Sequence, residues 1–128
     1  MAKNIVFTKK APKPVGPYSQ AVISGDFVFI SGQIAIDPKS SKVIDGEIEA
    51  QTAQVLENLK NILESIDLTL DDVVKTSVFL SNLNDFQSFN RVYRKYFDKT
   101  PPARTTAQAG LMVGVLLEID AIAKKTKN

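Results

Sequence analysis

The predicted strands of this chain carry apolar residues on both of their faces, and only two predicted helices are available to cover them. Alternate positions along a strand point to opposite sides of a sheet, so one helical layer covers only every second residue. The apolar strand residues in question are Val28, Ile30, Val78, Leu80, Ile119 and Ile122. A chain of 128 residues has no further layer to offer. We therefore expect an oligomer in which another subunit covers the second face.

The order of the predicted elements is strands, a helix, a strand, a helix and strands, which favours an α+β fold with one sheet and both helices on one face. Strands are expected at residues 5–8, 18–23, 27–31, 73–80, 105–109 and 116–123, the last two forming a hairpin. An apolar stripe within residues 48–66 predicts a first helix of about 18 residues. Asn84 and Gln87 resemble a capping box that opens a second helix, which Pro101-Pro102 ends.

The chain shows no internal repeat and no linker, so it is expected to form a single domain. We place its boundaries at residues 1–128, with an ordered core from about 5 to 123 and basic ends.

The chain contains neither cysteine nor histidine. Disulfides, thiolate nucleophiles, Ser-His-Asp triads and metal sites built from those two residues are therefore excluded. A hard-cation site of oxygen ligands stays formally open, but no acidic metal cluster, phosphate-binding loop or dinucleotide fingerprint appears. Asp71-Asp72 fits the start of a helix or turn better than a metal pair. We expect no metal, no cofactor, and chemistry based on carboxylates, Tyr, Lys, Arg, hydroxyls and backbone amides.

The basic residues are concentrated at the two ends of the chain. The end lysines are Lys3, Lys9, Lys10, Lys13, Lys124, Lys125 and Lys127, and without them the charge of residues 14–123 is 9 − 14 = −5. A nucleic-acid binder concentrates cations on a folded face, so solvated ends are the favoured interpretation and nucleic acid is not an expected partner. No apolar run is long enough for a membrane span, and the first residues lack a signal-peptide core, so we expect a cytoplasmic protein.

Two charged residues are candidates for chemistry, each with an alternative structural role. Arg104 follows the stiff segment Pro101-Pro102-Ala103, and a guanidinium held in that way suits bidentate recognition of a carboxylate or phosphate. A surface salt bridge at the start of a strand explains Arg104 equally well. Glu118 lies among apolar strand residues, where its pKa would be raised and it would serve as acid, base or water binder. The alternative is a solvated strand face.

Several uncharged residues are further candidates. Gly32 at a strand end would let a ligand approach the backbone, and the Tyr18 phenol, after a rigid proline loop, would point into a cleft. Turn and core packing is the alternative for both. The remaining candidates are Ser31, Asn90, Thr105 and Thr106, for which ordinary strand or surface positions are the alternative.

Four short motifs resemble the RidA/YjgF family, in the family's order and over nearly the whole chain. They are Gly16-Pro17-Tyr18-Ser19-Gln20-Ala21, Ile30-Ser31-Gly32-Gln33, Pro102-Ala103-Arg104-Thr105 and Glu118-Ile119-Asp120-Ala121-Ile122-Ala123. The resemblance implies a chorismate-mutase-like α+β fold with a single mixed sheet. It also implies a homotrimer, in which three sheets form a central barrel-like core and three clefts lie between adjacent subunits.

The activity that the resemblance implies is that of a 2-iminobutanoate/2-iminopropanoate deaminase. Such an enzyme hydrolyses reactive enamines and imines, such as 2-aminoacrylate and 2-aminocrotonate, to 2-oxo acids and ammonia. These species escape from pyridoxal-phosphate-dependent dehydratases. Carried over by residue, the resemblance implies that Arg104 holds the substrate carboxylate and Glu118 positions or activates water. The other implied pocket residues are Tyr18, with a catalytic role, and Ser31, Gly32, Asn90 and the Thr106 backbone, which bind substrate.

The chain departs from the family pattern at four places. Many members carry Cys where Thr106 stands, and Leu-Pro where Leu111-Met112 stands. The segments between Asn90 and Arg104 and between Arg104 and Glu118 are shorter than is usual in the family. A non-catalytic protein that binds 2-oxo acids in the same cleft is the alternative function. An RNA-cleaving translation inhibitor is a third, which the −5 charge and the lack of histidine disfavour.

Overall fold

A computed structural model describes residues 3–125, so Lys127 of the expected basic end lies outside the described residues. The strands are β1 (Asn4–Val6), β2 (Ala21–Ser24), β3 (Phe27–Gln33), β4 (Ile36–Asp37), β5 (Lys42–Val43), β6 (Val73–Leu80), β7 (Ala103–Gln108) and β8 (Leu117–Lys124). The α-helices are α1 (Ile48–Glu64) and α2 (Phe86–Tyr96). No helix within residues 3–125 is long and apolar enough to cross a membrane.

Six of the strands form one mixed sheet in the spatial order β1-β2-β3-β8-β6-β7. Only β6 and β7 pair in parallel, and α2 connects them, because parallel neighbours need a crossover segment. The two helices pack on one face of this sheet, and α1 contacts both β3 and β8. The predicted α+β fold with both helices on one face of a mixed sheet is therefore confirmed.

The core lies between the helices and one face of the sheet. The apolar stripe of α1 is buried there, as the sequence pattern predicts, and α2 buries Phe89, Val92 and Tyr93. The sheet contributes Val28, Ile30, Val78, Leu80, Leu117 and Ile119 to the same core. At about 1.5–3 kcal/mol for each fully buried large apolar side chain, this layer is the main stabilising element of the fold.

No element within residues 3–125 covers the second face of the sheet. Phe29 pairs with Ile122 across β3 and β8, and both lie on this face. The exposed fraction is 46% for Phe29, 40% for Phe27 and 61% for Ile5. An uncovered sheet face is thus found as expected, but only Ile122 of the six strand residues that led to this expectation lies on it, since the other five belong to the core. We call this surface, formed by Ile5, Phe27, Phe29 and Ile122, the open apolar face.

Two local predictions are wrong. Residues 105–109 and 116–123 do not form a hairpin, because β6 lies between β7 and β8 and pairs with both. The capping box at Asn84 and Gln87 is also absent. Instead, Asn82 is extended and its Oδ1 accepts a hydrogen bond of 2.9 Å from the Asn84 amide, which opens a 3-10 turn ahead of α2. Asp72 does complete a capping box with Thr69, as its assignment to a helix or turn start predicts.

Two buried amide side chains on α1 fasten the loops beside the sheet. The Gln51 side chain donates a hydrogen bond of 2.9 Å from Nε2 to the Gly114 carbonyl and accepts one of 3.0 Å at Oε1 from the Leu116 amide. Asn58 donates 2.9 Å to the Ile36 carbonyl and 3.2 Å to the Ile34 carbonyl. Because buried backbone groups need partners, these two residues fix the paths of both segments.

We expect Asn58→Ala to lower the free energy of unfolding by about 2 kcal/mol, because it removes the side-chain donor to the Ile36 carbonyl beside a fully buried position and one of the two donors to the Ile34 carbonyl, which keeps the Ile36 amide. Chemical denaturation at fixed protein concentration measures the change. Asn61→Ala is the matched control, since Asn61 lies on the same helix and makes one exposed hydrogen bond to the Lys10 carbonyl. Its cost should stay below about 1 kcal/mol. Equal costs for the two variants would contradict this account.

Candidate functional site

Arg104 faces α2 from the sheet strand β7. In the parallel register it lies beside Thr76 of β6. Its Nη1 donates a hydrogen bond of 2.9 Å to Oδ1 of Asn90, which lies on α2. One edge of the guanidinium is therefore held by a neutral partner, and further N–H donors remain.

Aromatic rings surround the Arg104 guanidinium. Its Cζ lies 4.8 Å from the ring centroid of Tyr93, 5.5 Å from that of Phe89 and 5.7 Å from that of Phe86. These distances are within the range of cation–π attraction. No carboxylate within residues 3–125 forms an ion pair with Arg104. The positive charge is thus oriented by neutral groups and is available to an anion.

Glu118 lies on β8, next to Gly32 of β3, where a Cβ would displace the Glu118 carboxyl from its present position. A Cβ built on Gly32 would stand 2.8 Å from the Glu118 Cδ and 3.0 Å from its Cγ, and it would clash with Oε2. Gly32 therefore lets the Glu118 side chain lie directly against the backbone. Burial raises the pKa of the Glu118 carboxyl, and the nearby Asp120 raises it further. A carboxyl with a raised pKa is a better proton acceptor near neutral pH than an ordinary one.

The pocket beside Glu118 has a volume of about 130 Å³. Tyr18 and Gly32 line it with Glu118, and its apolar wall includes Val15, Ile34, Ile36, Leu111, Met112 and Val115. Tyr18 is 48% exposed, and its hydroxyl accepts a hydrogen bond of 3.3 Å from the Val15 amide. The Gln51 and Asn58 amides hold the segments that carry most of this wall.

The structure places the remaining candidates as follows. The Ser31 hydroxyl donates 2.6 Å to the Ser19 carbonyl, so it offers a ligand only its lone pairs. Thr106 shares the Arg104 side of β7, and its hydroxyl is buried with no hydrogen-bond partner among the described residues. Thr105 points to the opposite side of the strand.

The two charged candidates lie on opposite faces of the sheet. Glu118 pairs with Phe79 of β6, and Phe79 pairs with Ala107 of β7, three residues from Arg104. Residues an odd number of positions apart along a strand point to opposite faces of the sheet, so the Arg104 and Glu118 side chains point away from each other. Their strands are two strand spacings apart and their positions differ by three residues along the strand, which puts the Arg104 and Glu118 Cα atoms about 14 Å apart. One chain therefore holds two separate half-sites, one with Arg104 and Asn90, the other with Glu118, Tyr18 and Gly32.

Sequence reasoning missed the residues that support these half-sites. Tyr93 comes four residues after Phe89 and three residues after Asn90. This spacing places all three side chains near one side of a helix and could have pointed to Tyr93 as a neighbour of Asn90. Gln20 is buried, and its Nε2 donates 3.0 Å to the Thr8 carbonyl and 2.9 Å to the Pro12 carbonyl. It thereby holds the proline-rich loop that precedes Tyr18. In the sequence, only the position of Gln20 within the first family motif points to such a role.

The profile of the Endoribonuclease L-PSP family matches residues 8–125. The chain belongs to this family, which is the RidA/YjgF family that its motifs resemble. It is 50% identical over 126 residues to a RutC family protein of Pyrococcus abyssi, covering 98% of this chain and 99% of that protein. It is 40% identical over 124 residues to the human protein named 2-iminobutanoate/2-iminopropanoate deaminase, covering 96% of this chain and 90% of the human one.

A solved structure from Thermotoga maritima, described as that of an endoribonuclease, superposes with a TM-score of 0.93 at 47% identity. The match covers 98% of this chain and all of that one. The family membership and the fold therefore agree.

We expect a ¹³C NMR titration of the Glu118 carboxyl to give a midpoint above its ordinary value of 4.5. In Asp120→Asn the midpoint should fall but stay above 4.5, because burial is the larger cause. Since folding favours the protonated form, this group's contribution to stability decreases as pH rises from 4.5 through the raised pKa. Glu118→Gln should remove that decrease. A midpoint at or below 4.5 in the wild type would refute the assignment.

Proposed function

We propose that the protein hydrolyses reactive 2-imino acids and their enamine tautomers to 2-oxo acids and ammonia. The observation that carries this proposal is the state of Arg104. Its guanidinium is half-buried, oriented by Asn90 and aromatic rings, and without a carboxylate partner among the described residues. A charge held in that way fits the planar carboxylate of a small amino-acid-derived substrate. The name of the human relative supports the same substrate class.

Glu118 supplies the acid–base group in this proposal. The Glu118 carboxylate accepts a proton from water as the water oxygen adds to C2 of the protonated imine. The protonated Glu118 carboxyl then returns its proton to the amine nitrogen of the carbinolamine. The C2–N bond breaks, ammonia leaves, and the C2 hydroxyl becomes the carbonyl as its proton passes to the departing ammonia. One imine and one water thus yield one 2-oxo acid and one ammonia. Because the carboxyl has a raised pKa, it can hold the proton between the two stages.

We further propose that the two half-sites meet between subunits of a homotrimer. Arg104 and Glu118 of one chain face opposite sides of its sheet, so a small substrate cannot reach both within that chain. The open apolar face lies on the Glu118 side, because Glu118 and Ile122 occupy alternate positions of β8. Another subunit that covers this face would approach the Glu118 pocket, which supports a cleft with an Arg104 contributed by the neighbour.

A coupled assay tests the activity. A threonine dehydratase generates 2-aminocrotonate, and semicarbazide competes with hydrolysis for the imine. Wild-type protein should lower semicarbazone formation and accelerate release of 2-oxobutanoate. Arg104→Ala and Glu118→Gln should each lose about 100-fold in rate, because they remove the carboxylate anchor and the general base.

Arg91→Ala is the control for the loss of a guanidinium. Arg91 lies on α2 and forms an exposed ion pair of 3.7 Å with Glu49, so its variant should keep wild-type activity. If correctly assembled wild-type protein leaves semicarbazone formation unchanged, the enzyme proposal fails. Tight binding of 2-oxobutanoate without turnover would then favour a non-catalytic 2-oxo acid binding protein.

A further inference from the structure

We propose that Tyr93 is a positioning residue for Arg104. Its ring forms a platform beneath the guanidinium carbon and limits where that group can lie, and its hydroxyl, bonded to Thr76, helps to hold the ring in place. The role of this platform in substrate binding rests on the proposed function. The placement of Arg104 over the Tyr93 ring is a feature of the fold and can be tested independently of any activity.

The bond between Tyr93 and Thr76 joins the helix to the sheet. The two hydroxyls lie 2.7 Å apart, Thr76 is fully buried, and Tyr93 is 6% exposed. Thr76 is also the β6 neighbour of Arg104 in the parallel register. Thr76 therefore holds the Tyr93 hydroxyl from the β6 position that lies beside Arg104, the residue over which the Tyr93 ring is placed.

The Tyr93 ring is fixed from both sides as well. The Phe89 ring centroid lies 5.2 Å away and the Phe97 centroid 4.7 Å away, each at a tilt near 40° that suits aromatic packing. Burial raises the pKa of Tyr93 above its ordinary value, although Thr76 and Arg104 act in the opposite direction. The phenol thus stays neutral and keeps its hydrogen bond at physiological pH.

A fixed platform matters because an arginine side chain has many rotamers. Ordering such a side chain on binding costs conformational entropy, which weakens the affinity. Asn90 accepts a hydrogen bond from Nη1, and the Arg104 Cζ lies over the Tyr93 ring at 4.8 Å from its centroid, so both residues restrict Arg104 before any ligand arrives. Neither partner neutralises the positive charge. A carboxylate that binds here would not have to compete with an internal acid.

The first test is spectroscopic and does not depend on activity. The sequence has three arginines, Arg91, Arg94 and Arg104, so the Nε–H signal of Arg104 can be assigned by its loss in Arg104→Lys. The Tyr93 ring should shift this signal upfield of the other two. Tyr93→Leu should reduce the shift, whereas Tyr93→Phe should preserve it. An unchanged signal in Tyr93→Leu overturns the proposal.

The second test measures the dissociation constant of 2-oxobutanoate and the steady-state constants for imine hydrolysis. Tyr93→Leu should weaken 2-oxobutanoate binding about tenfold and raise KM by a similar factor, with kcat little changed, because loss of a cation–π contact weakens a ground-state anchor. Tyr93→Phe and Thr76→Val should each cost no more than about threefold. Their double variant should cost no more than either alone, since both changes break the same hydrogen bond.

Tyr96→Leu is the matched control for the loss of a tyrosine on α2. Tyr96 donates a hydrogen bond of 2.9 Å to Glu57 of α1, and it is not one of the rings around Arg104, which are those of Phe86, Phe89 and Tyr93. It should leave the Arg104 signal and the affinity for 2-oxobutanoate near wild type. Equal effects of Tyr93→Leu and Tyr96→Leu would show general loosening of α2 and contradict the positioning role. If wild-type protein neither binds 2-oxobutanoate nor hydrolyses imines, the proposed function fails, and the Arg104 signal alone decides the platform.

Discussion

Side chains alternate across a β-sheet, and this alternation sends Arg104 toward the helices and Glu118 toward the face that no helix covers. Both the separation of the half-sites and our proposal that another subunit completes the site depend on it. A fold that buried both residues on one face would pair the carboxylate with the guanidinium and cancel both charges. Their separation leaves Arg104 with a charge for an anion and leaves Glu118 with a raised pKa.

The same alternation links assembly to chemistry in our proposal. Glu118 and the apolar Ile122 lie on one face of β8, so covering the open apolar face would also enclose the carboxylate. Phe29, 46% exposed within a single chain, supplies part of the driving force for such covering. Amide side chains on α1 prepare the pocket in advance, because Gln51 and Asn58 fasten two of the segments that form its wall. Rigid support of this kind is what water-mediated hydrolysis of a small substrate needs.

The sequence best predicts the helices and strands whose residues follow a regular local pattern of apolar or β-branched side chains. The apolar stripe locates α1 to within a few residues, and the β-branched run matches β6 from Val73 to Leu80. Strand pairing was not predictable, because the alternation of residues 105–109 is compatible with either β6 or β8 as a neighbour. Residues 18–20 lie outside β2, although the Gln20 carbonyl still accepts a hydrogen bond from the Ser31 amide, and the Gln20 side chain holds the proline-rich loop. Residue chemistry and the motifs identified Arg104 and Glu118 as candidates. That the two side chains lie on opposite faces of the sheet follows only from the strand register, in which Phe79 of β6 pairs with both Glu118 and Ala107.

Mixed oligomers test the central claim, that one site takes Arg104 and Glu118 from different subunits. Arg104→Ala and Glu118→Gln proteins would be unfolded together, refolded as a mixture and assayed for imine hydrolysis. In randomly mixed trimers, about a quarter of the clefts would combine an intact Arg104 with an intact Glu118. The account predicts that the mixture recovers about that fraction of wild-type activity, while each variant refolded alone stays inactive. A mixture that forms mixed trimers yet remains as inactive as its components would contradict it.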